Sequence, residues 1–163
     1  MHKLQWIQHK IYDRQVLERE CNTWRLTGKK IVFTNGCFDI LHHGHLDLIA
    51  KAADFGNILI LALNTDASVQ RLKGMDRPVT NEQDRAFQAA SLLCADAVTL
   101  FDEDTPETLI RLLRPDVLVK GGDYTIDKIV GADFVQSYGG TVEIIPFVQG
   151  YSTTSIIDRI KKL

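Results

Sequence analysis

Two imidazoles lie three residues apart in His42-His43-Gly44-His45, directly after the stretch Phe33-Thr34-Asn35-Gly36-Cys37-Phe38-Asp39. Ile31, Val32 and Phe33 form a short β-branched and aromatic run, whereas Leu46, Leu48, Ile49, Ala52 and Ala53 recur with helical spacing. The histidines therefore fall at a strand-to-helix turn. A helix start offers unpaired N–H groups and a positive dipole end to an anion. The i,i+3 spacing projects His42 and His45 from the same side of the first turn, and Gly44 leaves room for a phosphate to approach the backbone. The chemistry indicated is phosphate handling. Metal ligation is the weaker reading, because only His2 and His9 remain elsewhere and no Cys/His pair has ligand spacing.

The elements that must position this turn alternate along the chain. Strands are expected over 31–34, 58–63, 97–100, 117–120 and 142–145, and helices over 45–55, 81–93, 106–113, 132–138 and 153–162. Near-continuous apolar runs such as Ile58-Leu59-Ile60-Leu61-Ala62-Leu63 suit strands covered on both faces. The expectation is an α/β, doubly wound (Rossmann-like), five-stranded parallel sheet in a single domain, with ligands at the carboxyl ends of the strands. Chemistry-bearing residues do follow the first strand (35–45), the second (Asn64-Thr65-Asp66), the fourth (Lys120-Gly121-Gly122-Asp123-Tyr124) and the fifth (Gly150-Tyr151-Ser152-Thr153-Thr154). After the third, Phe101-Asp102-Glu103-Asp104-Thr105 reads as a solvated cap region before Pro106.

Each of these motifs also has an ordinary explanation. Ser152, Thr153 and Thr154 could simply cap the last helix. Lys120-Gly121-Gly122-Asp123 is ordinary turn chemistry, although two glycines also let backbone approach a flat ring while Asp123 supplies an acceptor. Arg71, Lys73, Arg77 and Arg85 place four cations between the second strand and the third helix. Surface cations are usually unspecific, but a loop bearing Lys73-Gly74 and Arg77-Pro78 near the strand ends is placed to clamp phosphates.

Composition narrows the classes. With 163 residues, 45% hydrophobic and 25% charged, the chain can bury one core. A formal net charge of −2 gives no broad attraction to nucleic acid or an acidic membrane, so any anion site must be local. Cys21, Cys37 and Cys94 are odd in number and lack C-x-x-C spacing, as expected of reduced thiols in a cytoplasm. No apolar run reaches the ~20 residues of a membrane span, and Met1-His2-Lys3-Leu4-Gln5-Trp6 is no signal segment. Residues 13–26 read as an amphipathic helix, with Val16, Leu17, Trp24 and Leu26 turned to the domain edge or a neighbouring subunit and Gly28 as its terminator.

The order Gly36-Cys37-Phe38-Asp39, then His42-His43-Gly44-His45, then Gly150-Tyr151-Ser152-Thr153-Thr154 resembles the HxGH nucleotidyltransferase superfamily. Over most of 30–160 the chain is similar to the adenylyltransferase of ADP-heptose synthesis. The stretches that carry this are 33–42, Leu63-Asn64-Thr65-Asp66-Ala67-Ser68-Val69, Arg71-Leu72-Lys73-Gly74 with Arg77-Pro78-Val79, and 116–124. The resemblance implies AMP transfer from ATP to D-glycero-β-D-manno-heptose 1-phosphate, with release of pyrophosphate, a requirement for Mg²⁺ and a homodimer to which 13–26 contributes. With no sugar-kinase domain, the expectation is the stand-alone form: a helical extension over 1–28 and a nucleotidyltransferase domain over 29–163.

On this reading His42 and His45, assisted by Lys73, stabilise charge at the α-phosphorus and the departing pyrophosphate. Thr34, Asn35, Gly36, Cys37, Phe38 and Asp39 contact the nucleotide, and no side chain ligates the metal directly. Arg85, Ser152, Thr153 and Thr154 complete the phosphate cradle, and Lys120, Gly121, Gly122 and Asp123 lie beside base or ribose. Asn64, Asp66, Lys73 and Arg77 meet the acceptor. Glycerol-3-phosphate cytidylyltransferase is the nearest rival; it typically has Arg-Thr-Glu-Gly before Ser-Thr-Thr, where this chain has Phe147-Val148-Gln149-Gly150. A nucleotide-binding sensor without turnover and an interaction subunit are the non-enzyme alternatives.

Overall fold

A computed structural model describes residues 2–163. The chain runs α1 (Lys3–Gln8), α2 (Arg14–Leu26), β1 (Ile31–Gly36), α3 (His43–Ala53), β2 (Ile58–Asn64), α4 (Asp66–Lys73), α5 (Glu82–Ala90), β3 (Ala97–Phe101), α6 (Glu107–Leu113), β4 (Val117–Gly121), a 3₁₀ turn (Ile126–Lys128), α7 (Ala132–Ser137), β5 (Thr141–Ile145) and α8 (Thr153–Ile160). The five strands form one sheet in the order β3-β2-β1-β4-β5, with every pairing parallel. Successive strands leave β1 first toward β2 and then, on the other side, toward β4. The crevice beyond the ends of β1 and β4 is therefore the switch point where such sheets bind ligands.

Period-two alternation divides the core. Ile31, Phe33, Ile60 and Ala62 face α2, α6 and α7, while Val32, Leu59, Leu61 and Leu63 face α3 and α5. Both faces are apolar and covered, which is why the strands read as unbroken hydrophobic runs. Each expected strand is present, and β1 to β4 extend one or two residues further toward the site than the apolar pattern indicates.

Two helices escape sequence reading. α4, 66–73, was expected as loop; Thr65 caps it by accepting from Ser68 N at 3.2 Å, and Arg71 and Lys73 lie in its last turn. α1 leads into an N-terminal segment that borders the edge strand β3. There Tyr12 N donates to Val98 O at 2.8 Å and Val98 N to Lys10 O at 2.7 Å. The segment thereby covers an open sheet edge.

In α2, Leu17 and Cys21 are fully buried in the core, and Trp24 packs against it with Tyr12 edge-on at 6.4 Å. Leu17 and Trp24 of the face that motivated a subunit contact are thus used within the domain, whereas Leu26 is 90% exposed. Asp13 caps α2, and Gly28 follows its end with φ +72°.

Asp102 and Asp104 are exposed, as the solvated loop expected of 101–105 requires, but the loop's carboxylates are also ion-paired. Glu103 forms a bidentate pair with Arg14 at 2.7 and 2.8 Å, which holds its carboxyl down at about 2. Asp104 accepts from Arg71 at 2.9 Å. The loop after β3 thus fastens α2 and α4 to the sheet.

Candidate active site at the switch point

α3 begins two residues earlier than its apolar spacing indicates, so His42 is the N-cap and His45 the third helical residue. Their rings stack at 3.8 Å with 18° between planes, and Phe38 meets His45 edge-on at 5.3 Å. Phe38 reaches this position from a left-handed backbone, φ +46°, which costs about 1–3 kcal/mol for a non-glycine residue and belongs where surrounding packing enforces it. Its ring lies over Gly36, where a Cβ would sit only 3.2 Å away.

Nδ1 of both histidines is buried with no hydrogen-bond partner. Such groups are costly unless a ligand completes them. Burial depresses the pKa of His42. Burial, then the neighbouring His42 and Lys73, push His45 down to about 4. The free site therefore holds two neutral imidazoles at pH 7.

Asp39 is 1% exposed and forms the hub of the loop. Its carboxylate accepts from Arg77 Nε at 2.7 Å, from Val79 N at 2.9 Å and from Thr80 N at 2.9 Å. Burial opposes its ionisation, but these donors outweigh it and hold its pKa below the usual range. Arg77, expected on the acceptor phosphate, is ion-paired with Asp39, with its Nη2 buried and without a hydrogen-bond partner. Arg85, expected in the phosphate cradle, is 1% exposed and donates to Cys37 O at 2.6 Å, Thr80 O at 2.9 Å and Asp66 at 2.7 Å. Asp66, expected at the acceptor, is correspondingly held by Arg85. These three residues fix the loop rather than line the cleft. Of the four clustered cations, only Lys73 carries no ion pair among the described residues.

The cleft at the strand ends has a volume of about 530 Å³. Asn35, Gly36, Cys37, Phe38, Asp39 and His45 form its floor, with Asn64, Leu72 and Lys73 on the β2 side and Lys120, Gly121, Tyr124 and Phe147 on the β4–β5 side. Lys120 Nζ donates to Asn35 Oδ1 at 3.2 Å, tying the two strands that flank the switch point. Its burial lowers its pKa. Asn64 donates to Ser68 Oγ at 3.0 Å and faces Cys37 Sγ at 3.8 Å.

Other expected residues lie apart from the cleft wall. Thr34 is fully buried within β1, its hydroxyl unpartnered. The Ser152 hydroxyl accepts from Ser155 N at 3.0 Å and caps α8; Thr153 lines the cleft, and Thr154 is exposed outside its lining. Asp123 is exposed and also outside the lining. The space left by Gly122, φ +128°, is occupied by the chain's own Phe147 and Tyr124 rings, each 2.9 Å from where a Cβ would stand. Tyr124, expected among the chemistry-bearing residues after β4, lines the cleft, as do Phe147, Leu48 and Lys128, which the motifs do not assign to the site. Phe147 alone had a visible signal, as the residue standing where the rival family has arginine.

A metal would find little here. Among the described residues no three His, Cys, Asp or Glu side chains are grouped to hold an ion. Asp39 is already saturated.

An open parallel sheet with paired imidazoles at the first helix of its switch point defines an enzyme that works on nucleotide phosphates. The chain belongs to the cytidylyltransferase-like family of nucleotidyltransferases, whose model matches residues 33–159. It is 58% identical over 147 residues to the bifunctional protein HldE of Syntrophotalea carbinolica, covering 90% of this chain and 29% of that protein. It is 60% identical over 133 residues to HldE of Geobacter metallireducens, covering 82% of this chain and 27% of that protein. The chain thus spans under a third of these relatives. A lipopolysaccharide core biosynthesis protein from Thermoplasma volcanium superimposes with a TM-score of 0.60 at 26% identity, over 77% of this chain and 100% of that one. Pantoate-beta-alanine ligase from Francisella tularensis shares the fold, with a TM-score of 0.62 at 16% identity over 94% of this chain and 78% of that one. Among the described residues no helix is long and apolar enough to cross a membrane.

Proposed function

We propose that this nucleotidyltransferase moves AMP from ATP to D-glycero-β-D-manno-heptose 1-phosphate, giving ADP-heptose and pyrophosphate for surface-glycan precursor synthesis. The observation that carries this reading is the stacked His42–His45 pair at the start of α3, with both Nδ1 atoms buried and unpartnered, His45 lining a cleft that Lys73 also lines. Identity to HldE over most of the chain, and the likeness to a lipopolysaccharide core biosynthesis protein, support the heptose acceptor.

In the reaction an acceptor phosphate oxygen forms a bond to the α-phosphorus of ATP, and the bond from that phosphorus to the bridging oxygen breaks, so that pyrophosphate leaves with the electron pair. No proton needs to be removed from an ionised phosphate. The residues therefore position and stabilise rather than react. Arriving phosphate charge favours the imidazolium forms that burial disfavours in the free site, so the histidines gain interaction as charge builds. Lys73 is placed to hold the acceptor phosphate, while Asp39, Arg77, Arg85 and Asp66 keep the loop in shape.

A pyrophosphate-release screen of sugar 1-phosphates and glycerol 3-phosphate against ATP and CTP tests this. ATP with the heptose phosphate is the expected productive pair. Turnover of CTP with glycerol 3-phosphate instead would establish the cytidylyltransferase reading.

A further inference from the structure

We infer that Phe147, with Tyr124 beside it, is the surface on which the base of the donor nucleotide stacks; the inference rests on ATP being that donor. Phe147 follows β5, is 65% exposed and lines the switch-point cleft. One side of its ring is packed on backbone. A Cβ on Gly122 would stand 2.9 Å from the ring, and one on Gly121 3.4 Å from it. The glycine pair therefore makes room for the chain's own aromatic ring, whose outer edge packs beside Gly121 and Gly122 while most of its surface stays exposed at the cleft. Tyr124, 45% exposed, also packs against Gly122.

The rest of the cleft assigns this wall to the base. His45, stacked on His42 at the start of α3, lines the cleft and is assigned to phosphate. Lys73 and Asn64 make the β2 side polar, which suits an acceptor bearing phosphate and hydroxyls. The β4–β5 side offers aromatic faces, and every nucleobase has a π-face to place on them. An arginine at position 147 would instead present charge to phosphate, so the aromatic residue moves the recognition at this point from phosphate to base.

Titration calorimetry of the wild-type chain and of Phe147→Ala, Phe147→Leu and Phe147→Trp with Mg²⁺–ATP, and in parallel with Mg²⁺–tripolyphosphate, tests the inference without any acceptor. Expected is a loss of roughly tenfold or more in ATP affinity in Phe147→Ala. Phe147→Leu should recover little of it and Phe147→Trp most, with tripolyphosphate binding alike in all four. In Phe147→Trp, ATP should quench the added indole emission and tripolyphosphate should not. Unchanged ATP affinity in Phe147→Ala, a parallel loss of tripolyphosphate, or no ATP quench in Phe147→Trp overturns the inference. A wild-type chain that does not bind ATP overturns it together with the adenylyl reading, whereas failure of the heptose phosphate as acceptor leaves these titrations decisive.

Discussion

Replacing Arg77 by alanine distinguishes a phosphate ligand from a brace. Arg77 and Asp39 side chains are 14% and 1% exposed, and their closest approach is 2.6 Å. Removing one partner of such a buried pair ordinarily costs about 3–5 kcal/mol, because the other charge is left uncompensated. Asp39 would retain the amide donors of Val79 and Thr80, which places the expected loss near the lower end, about 3 kcal/mol. For a chain of this size that corresponds to a fall in Tm of about 6–12 °C. Calorimetric melting of Arg77→Ala measures it directly. A cycle with Asp39→Asn should show strong coupling, since each variant removes the same contact and the double variant loses it once. An acceptor-phosphate role makes the opposite pattern: an unchanged Tm, no coupling to Asp39, and a raised KM for the sugar phosphate. That result would refute the bracing role.

Three further outcomes are expected. His42→Ala and His45→Ala should each lower kcat by ~10²–10³, the usual cost of losing a donor that acts in the transition state, with a much smaller change in ATP affinity by titration; near-normal turnover in both removes the pair from the mechanism. Because His45 is held near 4 when folded but titrates near 6.5 when unfolded, the unfolded chain binds more protons between these values. Stability from keeping His45 neutral is therefore complete above about pH 6.5 and is lost as pH falls toward 4, so urea midpoints at pH 7.5, 6 and 5 should decline more steeply in wild type than in His45→Asn. Equal slopes would contradict this; the contribution of Glu103, lowered from 4.5 to about 2, is lost mainly below pH 4.5, outside this range. Lys73→Ala should raise the acceptor KM more than the ATP KM in the pyrophosphate-release assay, an outcome that a rise confined to ATP would exclude.

Strand positions, the strand-to-helix turn and the closeness of the two imidazoles were all legible in the sequence, because each depends on local periodicity or on close spacing along the chain. Ile58 to Leu63 announces a doubly covered strand, and a spacing of three from His42 to His45 suffices to stack them once a helix begins there. What sequence could not decide was how distant charges are paired. Arg71, Lys73, Arg77 and Arg85 look alike as four nearby cations, yet three find carboxylates that the fold delivers, Asp104 from beyond β3, Asp39 from the β1–α3 loop and Asp66 from the start of α4. Only Lys73 is left for a ligand. The burial of Leu17 and Cys21 and the seating of Phe147 on Gly122 are likewise tertiary facts, since helical amphipathicity does not say which surface will cover a face, and a glycine pair does not say whose ring will fill its space. Local pattern determined where the reactive turn must be; long-range packing determined which of its charged neighbours remain free to act.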